Sequence, residues 1–193
     1  EARKVTEMLD LEDMENLQLI SRVERKGGRV VAATLVGAKL FLCDSTGNLE
    51  VWSTQPCCCE LAARCSPPPL ALIPFDNDVF AIFSTHVSRY DDLLSEHRLL
   101  EVDRVSAACI GDNKELYLAN RSRIRSHPVR PRTLPLRLQI VFAEKQIVRL
   151  VRECHGMLFA ITESFVLYAW NALSGALLSS RRLRRGDHSF DHQ

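Results

Sequence analysis

Four aromatic residues, Phe41, Phe80, Tyr117 and Phe159, set the frame for this chain. Each stands in a short apolar run (KLFL, DVFA, ELYL and MLFA), and the offsets between them are 39, 37 and 42 residues. Self-similarity at a period near 40 residues means stacked copies of one supersecondary unit, each of which buries its apolar faces against its neighbours. Three or four residues before each aromatic sits Gly37, Asn77, Asn113 or Gly156. These residue types suit a tight turn with positive φ.

The unit is legible in residues 30–65. The runs VVAATLV, KLFLC and NLEVW are separated by turn residues at Gly37 and at Asp44-Ser45-Thr46-Gly47, and a fourth run begins at Cys57 after Pro56. Short β-rich runs divided by such turns predict a meander of four antiparallel strands. The plan returns in 70–105, 106–142 and 147–183. Four strands per module at this period point to propeller blades. An extra outer strand is expected at 17–23 (LQLISRV), belonging beside the last blade or to a preceding one. Residues 1–16 read as an acidic arm or short helix, and 184–193 as a disordered polar tail. The expected class is therefore all-β: four four-stranded antiparallel blades, part of a larger ring.

Two copies carry a Trp at the end of the third strand. STGNLEVWST (45–54) and ESFVLYAWNALSGALL (163–178) resemble the Trp-Asp repeats of the WD-repeat family. Gly47 stands at that motif's turn glycine, and Leu49, Val51 and Trp52 at its apolar positions. Leu167, Ala169 and Trp170 do the same in the last copy, with Asn171 in place of the usual Asp and Ser174-Gly175 at the following turn. The resemblance spans roughly 17–183. Thr46 and Ser164 stand where the family has a turn Asp, no Gly-His dipeptide precedes the second strand, and Tyr90 and Ser126 are read as replacing Trp in the middle copies. The family's Asp-His-Ser-Trp network is accordingly expected to be missing, with apolar packing between blades in its place.

Seven cysteines, an odd number, in a chain opening on charged residues and Glu1 read as reduced thiols of a cytoplasmic protein, a segment of a longer one. Cys57-Cys58-Cys59 lacks the second paired knuckle that a zinc site needs, so buried free thiols and no metal are expected. No apolar run is long enough to span a bilayer. There is no Ser-His-Asp elbow, HExxH helix or phosphate-binding Gly loop, so neither enzyme activity nor a cofactor is expected.

Charge is divided along the chain. Residues 121–193 carry 13 Lys+Arg and 5 Asp+Glu, net +8, whereas residues 1–120 carry 12 and 19, net −7. The basic half contains SRIRSHPVRPRT. Arg121, Arg123, Arg125, Arg130 and Arg132 there form the candidate partner-binding set, since alternate residues of a strand share a face. Such a patch suits acidic protein segments or phosphates, or else it is a solvated edge that discourages sheet pairing. Without interleaved aromatics, sequence-specific nucleic-acid binding is not expected. The expected function is a non-catalytic scaffold for protein–protein interaction, with protein partners that have acidic surfaces. The alternatives are a propeller that targets or regulates a larger enzyme (a kinase, lipid phosphatase or guanine-nucleotide exchange factor) or one that binds phosphoinositides.

Overall fold

The computed structural model describes residues 27–55, 57–121, 123–129, 134–142 and 146–183. The expected arm at 1–16, the extra strand at 17–23 and the tail at 184–193 lie outside the described residues. Within them the chain is all-β, sixteen strands in four meanders. The first sheet comprises β1 (Val30–Val36), β2 (Lys39–Asp44), β3 (Asn48–Thr54) and β4 (Cys57–Arg64). The second comprises β5 (Ala71–Phe75), β6 (Asp78–Ile82), β7 (His86–Tyr90) and β8 (Glu96–Glu101). The third comprises β9 (Ala107–Ile110), β10 (Glu115–Ala119), β11 (Arg123–Pro128) and β12 (Leu138–Val141). The fourth comprises β13 (Val148–Cys154), β14 (Met157–Thr162), β15 (Val166–Asn171) and β16 (Leu177–Arg182). In every sheet the strands lie in chain order and each pairs antiparallel with the next.

The sheets stack face to face in chain order through three apolar clusters. Phe41, Cys43 and Val51 of the first sheet pack with Val79, Ala81 and Tyr90 of the second. Phe80 and Ile82 of the second meet Leu116 and Leu118 of the third. Tyr117 and Ala119 of the third meet Leu158, Ala160 and Trp170 of the fourth. The strand pleat explains this rule, because alternate residues of a second strand point to opposite neighbours. Phe41, Phe80 and Tyr117, each third in its strand, point to the sheet that follows, and the residues on either side point to the sheet that precedes. All three rings are buried, with exposures of 1%, 0% and 0%. Burying side chains of this size contributes on the order of 2–3 kcal/mol each.

Burial differs along the stack for the same reason. Every residue of β10 is buried, because that strand has a sheet on each side. Along β14 buried residues alternate with half-buried or exposed ones. Phe159, third in β14, is only half buried, since no described sheet follows the fourth. The innermost strands run side by side, β1 by β5, β5 by β9 and β9 by β13, and among the described residues β13 has no comparable packing with β1. The outermost β16 is exposed throughout.

Repetition extends to irregularities. A bulge interrupts β3/β4 between Val51 and Trp52, and another interrupts β15/β16 between Ala169 and Trp170. Register also corrects one expectation. Trp52 pairs with Leu40, Tyr90 with Val79 and Trp170 with Leu158, each opposite the residue preceding the aromatic. In the third sheet the residue opposite Leu116 is His127, whereas Ser126 pairs with Tyr117 and points to the other face. The Trp-equivalent position therefore holds His127, not Ser126. A one-residue slip is enough to exchange faces.

The turns bring a second correction. Gly37 and Gly156 do take positive φ, at 56° and 76°, but in the other two hairpins the left-handed residues are Asp76 and Lys114, at 51° and 57°, rather than Asn77 and Asn113. Asn113 works through its side chain. Its Oδ1 accepts from the Glu115 N–H at 3.2 Å, and its Nδ2 donates to the Tyr117 hydroxyl at 2.7 Å.

Candidate interaction surface

The hairpin from β10 to β11 is closed by Asn120. Its N–H donates to the Arg123 carbonyl at 3.0 Å, and its side-chain oxygen accepts from the Arg123 N–H at 3.1 Å. This turn puts Arg121 at an exposed tip and starts β11 with Arg123. Arg123 and Arg125 lie two residues apart on β11 on the face that looks toward the second sheet. There they line a small cleft with Val102, Asp103, Val105 and Leu118. Both are half-buried. The alkyl stems of such arginines cover apolar surface while their heads reach solvent.

The charge of the cleft is mixed. Arg125 Nε donates to Gln139 Oε1 at 3.1 Å, and the exposed Asp103, which also lines the cleft, lies 3.8 Å from Arg104. Among the described residues Arg121, Arg123 and Arg125 form no ion pair, although Asp103 shares the cleft with Arg123 and Arg125. Arg130 and Arg132 lie outside the described residues.

Behind the arginines on the same face sits His127. It is buried, with Nδ1 2.9 Å from the Leu134 carbonyl oxygen. Its Nε2 has no hydrogen-bond partner among the described residues. Burial lowers its pKa below the ordinary histidine value, and nearby Arg125 acts in the same direction. On the opposite face of the sheet, Glu115 is almost wholly buried and paired with Arg137. Sequence reading missed both. The odd feature at Glu115, an acid opening a run that is otherwise apolar, was visible, but Arg137 lies 22 positions further on and nothing local pairs the two.

The cysteine cluster is corrected. Cys58 and Cys59 are exposed on the outermost strand β4, not buried, while Cys43, Cys65 and Cys109 are the buried thiols. Cys65 Sγ lies 3.7 Å from the Tyr90 hydroxyl across the joint of the first and second sheets. Among the described residues no three His, Cys, Asp or Glu side chains converge in a way that could hold a metal ion. No helix among them is long and apolar enough to cross a membrane.

The β2–β3 turn is organised differently from the repeat motif that the sequence resembles. Asp44, two residues before Thr46, is buried and its Oδ1 accepts from the N–H groups of Thr46 at 2.9 Å and Asn48 at 3.0 Å, while its Oδ2 accepts from the Gly28 N–H at 3.2 Å. The residue in the same place in the fourth sheet is Thr162, whose hydroxyl lies 3.0 Å from that of Ser164. Trp52 Nε1 donates to Glu50 Oε2 at 2.8 Å, within one strand, β3.

No family model matches the sequence, and no curated protein matches it. Solved structures do match. The structure of U3-55K superimposes with a TM-score of 0.67 at 9% identity, covering 80% of this chain and 52% of that one. The WD40 repeats of RRP9 give 0.65 at 8% identity, again over 80% and 52%. The chain thus spans about half the length of the structures it matches, and at this identity the likeness is one of fold. With four four-stranded meanders stacked in chain order around their first strands, this chain has the fold of a WD-repeat β-propeller and forms four consecutive blades of one.

Proposed function

We propose that the chain is a non-catalytic propeller scaffold that binds other proteins, and that an acidic segment of a partner docks on the basic surface of Arg121, Arg123 and Arg125. The observation that carries this reading is the set of three guanidinium groups at one hairpin beside an interblade cleft, none of them in an ion pair with another described residue. Stacked blades hold such a hairpin rigidly, and rigidly held loops are where recognition concentrates. Arginine's planar fork is suited to carboxylates, and unpaired surface charges of one sign steer oppositely charged partners.

The test is affinity capture from cells with the wild-type protein and with Arg121, Arg123 and Arg125 all replaced by Ala. Proteins bound through this surface are lost from the variant and are released from the wild type by salt, while the β-sheet circular dichroism is retained and some thermal stability goes with the half-buried stems of Arg123 and Arg125. Identical capture by the two proteins rejects the surface. Flotation with liposomes containing acidic lipids separates this reading from phosphoinositide binding, for which the shared chemistry is phosphate on the same arginines.

A further inference from the structure

We propose that the outer edge of the fourth blade is a docking edge. An extended segment of a partner protein adds to β16 as a further antiparallel strand, with acidic side chains against Arg181 and Arg182 and large apolar ones on Leu177 and Leu178. This surface is separate from the arginine hairpin of the third blade. It lies on the rim, and the rim of a blade stays a rim whatever precedes the first sheet or follows the fourth.

The backbone supplies the template. β16 is the last strand of its sheet, its 6 residues are all exposed, and among the described residues no strand lies beyond it. The Leu183 N–H donates to the Phe165 carbonyl at 2.7 Å. Antiparallel pairs alternate between hydrogen-bonded and open ones, so Leu167 with Arg181 and Ala169 with Ser179 continue the bonded series. Ser180 and Arg182, opposite Tyr168 and Val166, therefore turn their N–H and C=O groups outward. A bulge at Leu178 ends this regular run.

The side chains set this edge apart from the other rims. β8 carries Glu96, Arg98 and Glu101, charges of both signs that discourage strand addition. β4 carries Glu60, 3.8 Å from Lys39, and β12 is only 4 residues long. β16 instead opens on Leu177-Leu178-Ser179-Ser180, without charge, and both leucines are 56% exposed. Leu173, in the turn before β16, is 71% exposed, and Leu136, leading into β12, is 57% exposed. Gly175 seats that turn on the third blade, since a Cβ there would stand 3.1 Å from Leu138 Cδ1 and 3.5 Å from Ile140 Cγ1. Leu177 pairs with Trp170, which packs with Ile140 and Phe142, so it lies on the side of the sheet that meets the third blade. Exposed leucines thus gather at one end of the edge, and such apolar exposure marks an interaction surface.

Charge selects the occupant. Arg181 and Arg182 close the strand, and neither forms an ion pair with another described residue. A strand added antiparallel runs from Arg182 toward Leu177, so its acidic residues precede its apolar ones. In such additions main-chain hydrogen bonds supply affinity and alternate side chains supply specificity. A segment of the reverse order sets apolar groups on guanidinium and carboxylates on leucine, and a basic segment sets like charges together.

The probe is a fluorescent peptide, Glu-Glu-Thr-Thr-Leu-Leu, titrated with the 193-residue chain and followed by anisotropy, with Leu-Leu-Thr-Thr-Glu-Glu as its control. The acid-first peptide is expected to bind at least about tenfold more tightly than the control. Leu177→Asp weakens its binding at least about tenfold, and so does the pair Arg181→Ala and Arg182→Ala. Ser180→Pro does the same, because it removes an outward N–H that the blade's own ladder does not use. Replacing Arg121, Arg123 and Arg125 with Ala leaves the binding unchanged, which separates this edge from the arginine hairpin. Should the proline variant lose its β-sheet circular dichroism, hydrogen exchange of the wild type decides, since bound peptide slows the Ser180 and Arg182 amides. Absence of binding, equal binding of the two peptides, indifference to Leu177→Asp, loss of binding in the hairpin variant, or unchanged exchange at Ser180 and Arg182 overturns the proposal. A wild-type dimer that Ser180→Pro dissociates gives the edge to a second copy and overturns it too.

Discussion

Gly47 and Cys65 lie back to back at the end of the first blade. The Cys65 N–H donates to the Gly47 carbonyl at 2.7 Å, and a Cβ added to Gly47 would stand 1.9 Å from the Cys65 carbonyl oxygen. Gly47 also has φ of +83°. Two independent demands thus fall on one residue. The turn needs a left-handed backbone, and the strand end crossing it leaves no room for a side chain.

Gly47→Ala is therefore expected to destabilise the chain by about 2–4 kcal/mol, combining strained backbone with displacement of a neighbouring main chain. Gly37→Ala provides the control. Its φ is similarly positive, but nothing lies within 4 Å of the added Cβ, so it should cost about 1 kcal/mol. Chemical denaturation of the two variants measures the difference. Equal losses would show that Cys65 gives way freely.

Interblade aromatics should dominate stability. Phe80→Ala empties a fully buried site between the second and third sheets, where the ring also meets Phe75 edge-on at a centroid distance of 5.7 Å. The expected loss is about 3–5 kcal/mol. Phe41→Ala should match it, because the same strand position serves the preceding joint. A loss below 1 kcal/mol at either site, measured by urea unfolding, would contradict the packing described.

How much of this was legible in the sequence follows from what each feature depends on. Strand limits and the order of blades are local properties, set by apolar runs and turn residues, and Phe41, Phe80 and Tyr117 announced the joints because their period is a property of the chain itself. His127 was misplaced by one residue because the third copy has no Trp to anchor its register, and a slip of one is invisible without the partner strand. Asp44 escaped notice as the residue that holds the β2–β3 turn because Asp is common in turns for many reasons. Cys58 and Cys59 are exposed, against the expectation of buried thiols, because an outermost strand exposes whatever it carries. Of the arginines, Arg123 and Arg125 share a face of β11 as alternation dictates, but the sequence held no sign of the cleft contributed by residues 102–105 of the neighbouring blade.

The ion pair between buried Glu115 and solvent-facing Arg137 gives a third prediction. Arg137→Ala leaves a carboxylate without its cation in a site where Glu115 is 2% exposed. Breaking a fully buried pair from one side costs about 3–5 kcal/mol, and the exposure of Arg137 puts the expected loss below that, at about 1–3 kcal/mol. Glu115→Gln in the Arg137→Ala background should recover a large part of that loss, since the neutral amide removes the unpaired charge. A double variant no more stable than Arg137→Ala alone would mean that Arg137 acts by packing its stem, not by its charge.

Acid should loosen the joint between the second and third blades. The His127 pKa is lowered in the folded chain by burial. A histidine whose folded pKa lies below its unfolded value takes up a proton more readily when unfolded. Stability is therefore full above about pH 6.5, the ordinary histidine value, and declines as pH falls from there toward the depressed folded value. His127→Phe, which places an aromatic where its counterparts are Trp or Tyr, should flatten the decline between pH 7 and pH 5 measured by thermal unfolding. An unchanged slope in that variant would assign the effect to other groups.

Thiol reactivity separates the cysteines by their place in the blade. Cys58 and Cys59, exposed on β4, should react with an alkylating reagent within minutes at pH 8 in the native protein. Cys109 should not, because it is 6% exposed and burial pushes its pKa up to about 11, leaving almost no thiolate. Cys43, in the joint between the first and second blades, is wholly buried and closed to reagents by the packing around it. Addition of urea should release Cys43 and Cys109 together, at the concentration where β-sheet signal is lost, because the blades hold one another. Mass spectrometry of labelled peptides follows each site separately. Labelling of Cys109 well before that transition would mean that the third and fourth blades part independently of the first two.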